Sequence, residues 1–128
     1  MKILTGTDII EIYRIRESIE DLGENFINKI YTKKEIEYCE SKKKAKYQHY
    51  AARFAAKEAI FKAVSKLLSD KYEISWQNAE IINLEDGKPV VNFINTNINE
   101  KIEDIDISIS HCKEYAVASV IFTVGDTH

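Results

Sequence analysis

Two carboxylates in apolar surroundings are the residues of this chain best suited to chemistry. Asp8 lies in a run from Ile3 to Ile12 whose Ile, Leu and Thr content predicts a β-strand, although Asp is depleted in strands. Glu58 lies in the segment Arg53 to Ala63, which predicts a helix that is apolar on nearly all sides and therefore buried. A buried carboxylate is costly unless a cation offsets its charge. Both positions therefore suggest a functional reason for the charge.

The simplest shared reason is that both carboxylates bind one divalent ion. Hard oxygen ligands favour Mg²⁺ or Mn²⁺, and Mg²⁺ is often held by one or two carboxylates together with substrate phosphates. Two ordinary interpretations remain open. Glu58 and Lys62 are four residues apart and could form a surface ion pair, and Asp8 could end its strand and cap the following helix.

Other segments must form the elements that bring these carboxylates together. Alternation along the first strand places Asp8 on the face that also carries Leu4, Gly6, Ile10 and Ile12. Gly6 leaves room there for a ligand or for another backbone. The long helix is expected to run from about Tyr47 to Leu68. Shorter helices are expected at 14–22, 25–31 and 33–39, the last with a Thr32–Glu35 capping box.

The second half of the chain predicts strands. They are expected at 76–84 and 90–94 around an Asp86-Gly87 turn, along Ile105, Ile107 and Ile109, and at 115–122. With the helices grouped early, the fold class is α+β: an antiparallel sheet packed on a long central helix. A chain of 128 residues fits a single domain, 1–128.

Composition excludes several classes of protein. The chain is 45% hydrophobic and 30% charged, with a net charge of -3 that does not favour nucleic-acid binding. It contains no apolar run of about 18 residues and no export signal at its start. Cys39 and Cys112 lack metal-site spacing. We therefore expect no membrane or nucleic-acid partner, and a cytoplasmic location.

Four motifs together resemble a known family. Gly6-Thr7-Asp8-Ile9-Ile10-Glu11 is followed by Arg53-Phe54-Ala55-Ala56-Lys57-Glu58-Ala59, then by Gly87-Lys88-Pro89 and Ser108-Ile109-Ser110-His111. In this order they are similar to the holo-acyl-carrier-protein synthases, the short single-domain 4′-phosphopantetheinyl transferases. The resemblance covers nearly the whole chain.

The resemblance implies a reaction and a set of roles. The family transfers 4′-phosphopantetheine from coenzyme A to a serine of apo acyl carrier protein, releases adenosine 3′,5′-bisphosphate, supports fatty acid biosynthesis and assembles as a trimer. By this resemblance Asp8 and Glu58 hold Mg²⁺ at the coenzyme A pyrophosphate, and Lys62 contacts the same phosphates. His111, Arg53 and Lys88 contact the nucleotide, and Arg14 contacts the acidic carrier.

Some points stay open at this level. The general base could be Glu58 or a metal-bound water. The basic run of Lys42, Lys43, Lys44 and Lys46 could be a solvated surface or a docking patch. The family often has a glycine loop after the long helix, whereas Val64 to Tyr72 contains no glycine, which leaves the backbone contacts to the nucleotide in doubt.

Two other functions are compatible with the same residues. One is a carrier-protein-binding module without activity, although both carboxylates are retained. The other is a Mg²⁺-dependent nucleotide pyrophosphohydrolase, which would have to activate water rather than exclude it.

Overall fold

The structure is a computed structural model, and it describes residues 1–69 and 74–125. Nine helices and strands of regular length follow one another in these residues: β1 (Lys2–Glu11), α1 (Ile12–Leu22), α2 (Glu24–Ile30), α3 (Lys33–Ser41), α4 (Lys46–Val64), β2 (Ala79–Asn83), β3 (Pro89–Phe93), β4 (Asp104–His111) and β5 (Tyr115–Val124). Short 3₁₀ turns occur at Lys43–Ala45, Ser65–Leu67, Trp76–Asn78 and Ile98–Lys101. The helices precede β2, so the expected α+β class is confirmed.

Two antiparallel sheets are present in the described residues. The larger has the strand order β1-β5-β4, and the smaller is the β2-β3 hairpin. The inner face of the larger sheet packs on α4 through Leu4, Ala118, Val120 and Phe122. A second buried cluster joins α1, α2 and α3 to the first half of α4. The helix α4 thus contributes buried residues to both clusters.

Close contact between β1 and α4 depends on Gly6. A Cβ atom at this position would lie 1.9 Å from the carbonyl oxygen of Ala59. The space beside Gly6 is therefore filled by another backbone, which was one of the two expectations. Because Asp8 follows two residues later on the same face of the strand, this contact brings it beside the turn of α4 that carries Glu58 and Lys62.

Several element boundaries differ from the sequence predictions, and three of them bear on the fold. The first strand ends at Glu11, and Ile12 begins α1, where its amide N–H donates to the carbonyl of Glu114 at 2.9 Å. Trp76 lies in a 3₁₀ turn rather than in a strand. The α-helical part of α4 ends at Val64, and the chain continues as a 3₁₀ turn. Part of the glycine-free segment, 70–72, lies outside the described residues.

The Thr32–Glu35 capping box is confirmed, and Glu35 does more than cap. Thr32 N–H donates to Glu35 Oε1 at 2.8 Å, and Glu35 N–H donates to Thr32 Oγ1 at 3.3 Å. The Glu35 side chain also pairs with Lys57 Nζ at 2.9 Å, with both side chains fully buried. The capping box therefore anchors α3 against α4.

In the part of the chain that the structure describes, no helix is both long enough and apolar enough to cross a lipid bilayer.

Candidate functional site

Asp8 and Glu58 face one surface pocket. It has a volume of about 400 Å³ and is lined by Asp8, Ile9, Ile10, Glu11, Arg14, Phe54, Glu58 and Tyr115. The side chain of Asp8 is 16% exposed. Asp8 lies within β1, and Glu11 at the start of α1 makes no side-chain cap hydrogen bond. The interpretation of Asp8 as a strand-end helix cap is therefore wrong.

Lys62 belongs to the same site, but with a different partner from the one that helix spacing suggests. Its Nζ donates to Asp8 Oδ1 at 2.9 Å and to the carbonyl of Thr7 at 3.1 Å. Among the described ion pairs Lys62 is thus joined to Asp8 and not to Glu58. The alternative of an ordinary i,i+4 pair between Glu58 and Lys62 is therefore wrong, because β1 lies closer to the amine than the preceding turn of the helix does.

The environment of Glu58 disfavours its negative charge. Burial, together with the nearby carboxylate of Asp8, raises the pKa of Glu58, and the charge of Lys62 opposes this only in part. A carboxyl group with a raised pKa beside a second carboxylate in a cleft is typical of a functional site. A bound cation would remove both the burial cost and the repulsion.

These residues fit a Mg²⁺ ion that also binds a substrate. Among residues 1–69 and 74–125 no three His, Cys, Asp or Glu side chains converge, so two carboxylates are the protein ligands on offer. Mg²⁺ is commonly held by one or two carboxylates, with its other positions taken by water and substrate phosphates. The donor set of Asp8 and Glu58 matches this pattern.

Arg14 lies at the rim of the pocket. It is on the first turn of α1, its side chain is 73% exposed, and its Nε donates to Glu11 Oε1 at 3.0 Å. The structure therefore brings Arg14 together with Asp8 and Glu58 while leaving its guanidinium open to a partner.

Arg53 and His111 lie in a second, basic cluster. The guanidinium of Arg53 stacks on the ring of Tyr38 at 4.0 Å, and Lys42 Nζ lies 4.7 Å from the centre of the same ring. His49 is in edge contact with both Tyr38 and His111. The cations of Arg53 and Lys42 thus lie on the Tyr38 ring, and the imidazoles of His49 and His111 lie beside it.

The guanidinium of Arg53 has one buried donor, Nε, without a hydrogen-bond partner among the described residues. The residue is 3% exposed, and its Nη2 donates to Asn83 Oδ1 at 2.6 Å. A buried guanidinium donor without a partner is costly unless an anion or water binds it, which suits a site for a phosphate group.

Within one chain, Lys88 lies apart from both the carboxylate pocket and the basic cluster. It lies in the β2–β3 turn, and its Nζ pairs with Asp106 at 3.3 Å. It lines a separate depression with residues of β4. The single chain therefore does not bring Lys88 to the other residues that the family resemblance named.

Sequence reasoning missed several residues at these sites. Tyr115 and Phe54 line the carboxylate pocket, and Tyr38 and His49 belong to the basic cluster. One signal was available: His49 and Arg53 are four residues apart and so share a face of α4. Tyr115 could be found only from the strand pairing, which sets it opposite Glu11.

Comparison with known proteins identifies the family of this chain. The model of the 4′-phosphopantetheinyl transferase superfamily matches residues 5–120. The chain belongs to this superfamily. It is also 44% identical to the holo-[acyl-carrier-protein] synthase of Ruminiclostridium cellulolyticum, over 99% of this chain and 96% of that protein.

Solved structures of other 4′-phosphopantetheinyl transferases share the fold. The Helicobacter pylori holo-[acyl-carrier-protein] synthase in complex with coenzyme A aligns with a TM-score of 0.81, at 27% identity, over 94% of this chain and all of that one. The Bacillus anthracis enzyme, described as a complex with CoA (3′,5′-ADP), aligns with a TM-score of 0.77, at 32% identity, over 95% and 96% of the two chains.

Proposed function

We propose that this transferase moves 4′-phosphopantetheine from coenzyme A to a serine of apo acyl carrier protein in a Mg²⁺-dependent reaction, in support of fatty acid biosynthesis in the cytoplasm. The observation that carries the proposal is the meeting of Asp8 and Glu58 in one pocket, with the amine of Lys62 bound to Asp8. Two carboxylates for an ion and one amine for phosphate oxygens are what a pyrophosphate ester requires. The names of the relatives support the substrate pair.

The bonds that form and break in the transfer show what the residues of the site must do. The serine Oγ of the carrier forms a bond to the phosphorus that bears pantetheine, and the bond from this phosphorus to the adenosine-side phosphate breaks. The serine proton goes to a base, and adenosine 3′,5′-bisphosphate leaves. A divalent ion held by Asp8 and Glu58 would neutralise charge on the leaving phosphate. Lys62, whose Nζ lies 2.9 Å from Asp8 Oδ1, would place a cation beside the same oxygens.

The basic cluster suits the nucleotide half of coenzyme A. Arg53, Lys42 and His111 offer donors to phosphate, and we assign Arg53 and His111 to that role. Arg14, exposed at the mouth of the carboxylate pocket, is assigned to an acidic carrier. Complementary charge at this rim would speed and orient docking.

We also propose a homotrimer, supported by three exposed isoleucines on the outer face of the sheet. On the side of the sheet away from α4, Ile3, Ile9 and Ile121 are 58%, 63% and 49% exposed. Ile9 stands opposite Val117 in the β1–β5 register. We expect another copy to cover these isoleucines. It would also allow Lys88 to act on a site that includes a neighbouring chain.

A mixing experiment tests the shared site. Glu58→Gln subunits mixed with His111→Ala subunits, after subunit exchange has been verified, should regain activity if one site uses both chains. A fully active monomer by light scattering at micromolar concentration would contradict the trimer.

One incubation distinguishes the proposed function from its alternatives. The protein is mixed with coenzyme A, Mg²⁺ and apo acyl carrier protein, and the carrier is followed by intact mass spectrometry. The carrier should gain the mass of phosphopantetheine. An unchanged carrier with intact coenzyme A would indicate a binding module, and cleaved coenzyme A with an unchanged carrier would indicate a pyrophosphohydrolase.

A further inference from the structure

A row of three aromatic rings connects α3, α4 and the end of β4. The ring of His49 on α4 meets Tyr38 on one side, with centroids 5.5 Å apart and planes at 78°. On the other side it meets His111, at 5.4 Å and 69°. Both contacts are of the edge-to-face type that aromatic pairs prefer. The row runs from the ring that carries the Arg53 guanidinium to the imidazole of His111.

His49 is the inner member of the two imidazoles. It is half-buried on α4, whereas His111 is exposed at the last residue of β4. An exposed side chain at a strand end is free to change rotamer unless a neighbour restrains it. For His111, the neighbour that the structure provides is the ring of His49.

His49 itself is uncharged near neutral pH. Burial lowers its pKa to about 4, and the charges of His111, Arg53 and Lys42 act in the same direction. A neutral ring can lie near the cations of Arg53 and Lys42 without repelling them. It offers no charge of its own to an anion, so its contribution to a phosphate site must come through the rings that it contacts.

We propose that His49 is a positioning residue that holds the His111 imidazole in place for a phosphate-bearing nucleotide. The proposal rests on the nucleotide-binding role assigned to His111 above. The three-ring row fixes His111 relative to Arg53, so that both present donors to one ligand. Loss of this restraint should weaken nucleotide binding by about three- to tenfold, the range expected for one aromatic pair.

The test is a binding cycle on the full-length protein with adenosine 3′,5′-bisphosphate and Mg²⁺, followed by calorimetry. His49→Ala should raise the Kd by about three- to tenfold, and His49→Phe should keep it within about twofold because the ring remains. The double variant His49→Ala/His111→Ala should bind as weakly as His111→Ala alone, since His49 acts through His111.

Kinetics supply a second readout that simple loss of packing would not produce. His49→Ala should raise KM for coenzyme A, with little change in kcat at saturating coenzyme A and in KM for the carrier. The matched control is Tyr47→Ala, which removes a half-buried ring from the same helix. Tyr47 contacts Arg16 and Lys46 rather than the three-ring row, and this change should leave nucleotide binding unaltered. If His49→Ala folds poorly, His49→Leu keeps the volume without the ring and should show the same loss.

Specific results would overturn the proposal. Unchanged binding in both His49→Ala and His49→Leu would remove His49 from the site. Additive losses in the double variant would mean that His49 acts independently of His111. Equal loss in His49→Phe and His49→Ala would assign the effect to a ring nitrogen. If the wild-type protein binds no adenosine 3′,5′-bisphosphate, the proposed function fails first and the positioning role fails with it.

Discussion

Two neighbouring residues of α4 lie in opposite kinds of environment. Lys57 is fully buried and pairs with Glu35 at 2.9 Å. Its Nζ also donates to the carbonyls of Trp76 and Ala79, each at 2.8 Å. Glu35 Oε2 in turn accepts the N–H of Ile81 at 2.9 Å. Three helix and strand segments are thus tied to α4 with all three ammonium donors used.

Glu58, the next residue, points to the open side. It faces a 400 Å³ pocket with Asp8, another carboxylate, and its pKa is raised. In this pocket the Asp8 and Glu58 carboxylates repel each other, and Lys62 offsets the charge of Glu58 only in part.

The difference separates two uses of buried charge on one helix. A closed ion pair is weak evidence for stability, because desolvation offsets much of its attraction, but it fixes geometry and is costly to break. A half-buried carboxylate beside another is poised for a cation. The Lys57 network sets the rotation of α4, and that rotation directs Glu58 into the pocket, since successive helix residues lie about 100° apart.

The largest effect on activity should follow from substituting the carboxylates of the Asp8–Glu58 pocket. Glu58→Gln keeps the volume but removes a charge from the ion site, so transfer should fall by about 100-fold or more. Asp8→Asn should behave alike, and the double variant should be little worse than either because both residues serve one ion. Intact-mass assays of the carrier at limiting Mg²⁺ measure this. Near-normal turnover of Glu58→Gln would remove Glu58 from the site.

Breaking the buried Lys57–Glu35 pair should lower the stability of the fold rather than the activity. Lys57→Met leaves the Glu35 carboxylate buried without its cation, which should lower the free energy of unfolding by about 3–5 kcal/mol. Adding Glu35→Gln should recover part of that loss, because no buried charge remains. Urea unfolding is the measurement. Lys88→Met is the matched control and should change stability little, because Lys88 pairs with an exposed carboxylate, Asp106, which is 70% exposed.

The rim of the open side should respond to salt. Arg14→Glu should raise KM for the acidic carrier by about tenfold at low salt, with little change in KM for coenzyme A. The defect should shrink as salt rises, because exposed charges are screened over about 10 Å at 0.1 M ionic strength. A defect of constant size across salt concentrations, or one felt through coenzyme A, would reassign Arg14 to structure or to the nucleotide site.

The smallest expected effect is a pH-dependent change in stability caused by Glu58. Since its pKa is raised in the folded protein, ionisation of Glu58 opposes folding, and stability is lost as pH rises through that pKa. In EDTA, Glu58→Gln should therefore melt slightly above the wild type near pH 7, and the difference should vanish below about pH 4. Adding Mg²⁺ should reverse the order. A Glu58→Gln protein less stable than the wild type in EDTA would show that the charge has a structural partner.

Local patterns were sufficient to single out the two carboxylates that share one pocket. Asp8 and Glu58 stood out because each is out of place on its own element, and the capping box at Thr32 follows from a short motif. The outer face of β5 could be read from alternation alone. These are properties of consecutive residues, which is why the sequence reveals them.

Other features depend on contacts between distant segments. Lys57 was overlooked beside Glu58, because nothing local shows that Glu35, 22 positions earlier in the chain, supplies its counter-charge. The role of His49 could not be predicted from local sequence, because its contact with His111 forms only when α4 packs against the end of β4. Ile12 and Trp76 fit a strand by composition, but the chain turns at both places to pack on neighbouring elements.

The contact at Gly6 restricts which sequences can build this site. Every amino acid other than glycine would place a Cβ 1.9 Å from the Ala59 carbonyl, so any side chain there forces β1 and α4 apart. The separation of the two backbones that carry Asp8 and Glu58 is therefore set by this contact. A designer who moved this site into another scaffold would need to copy a strand and a helix in direct contact, and copying the acidic residues alone would not be enough.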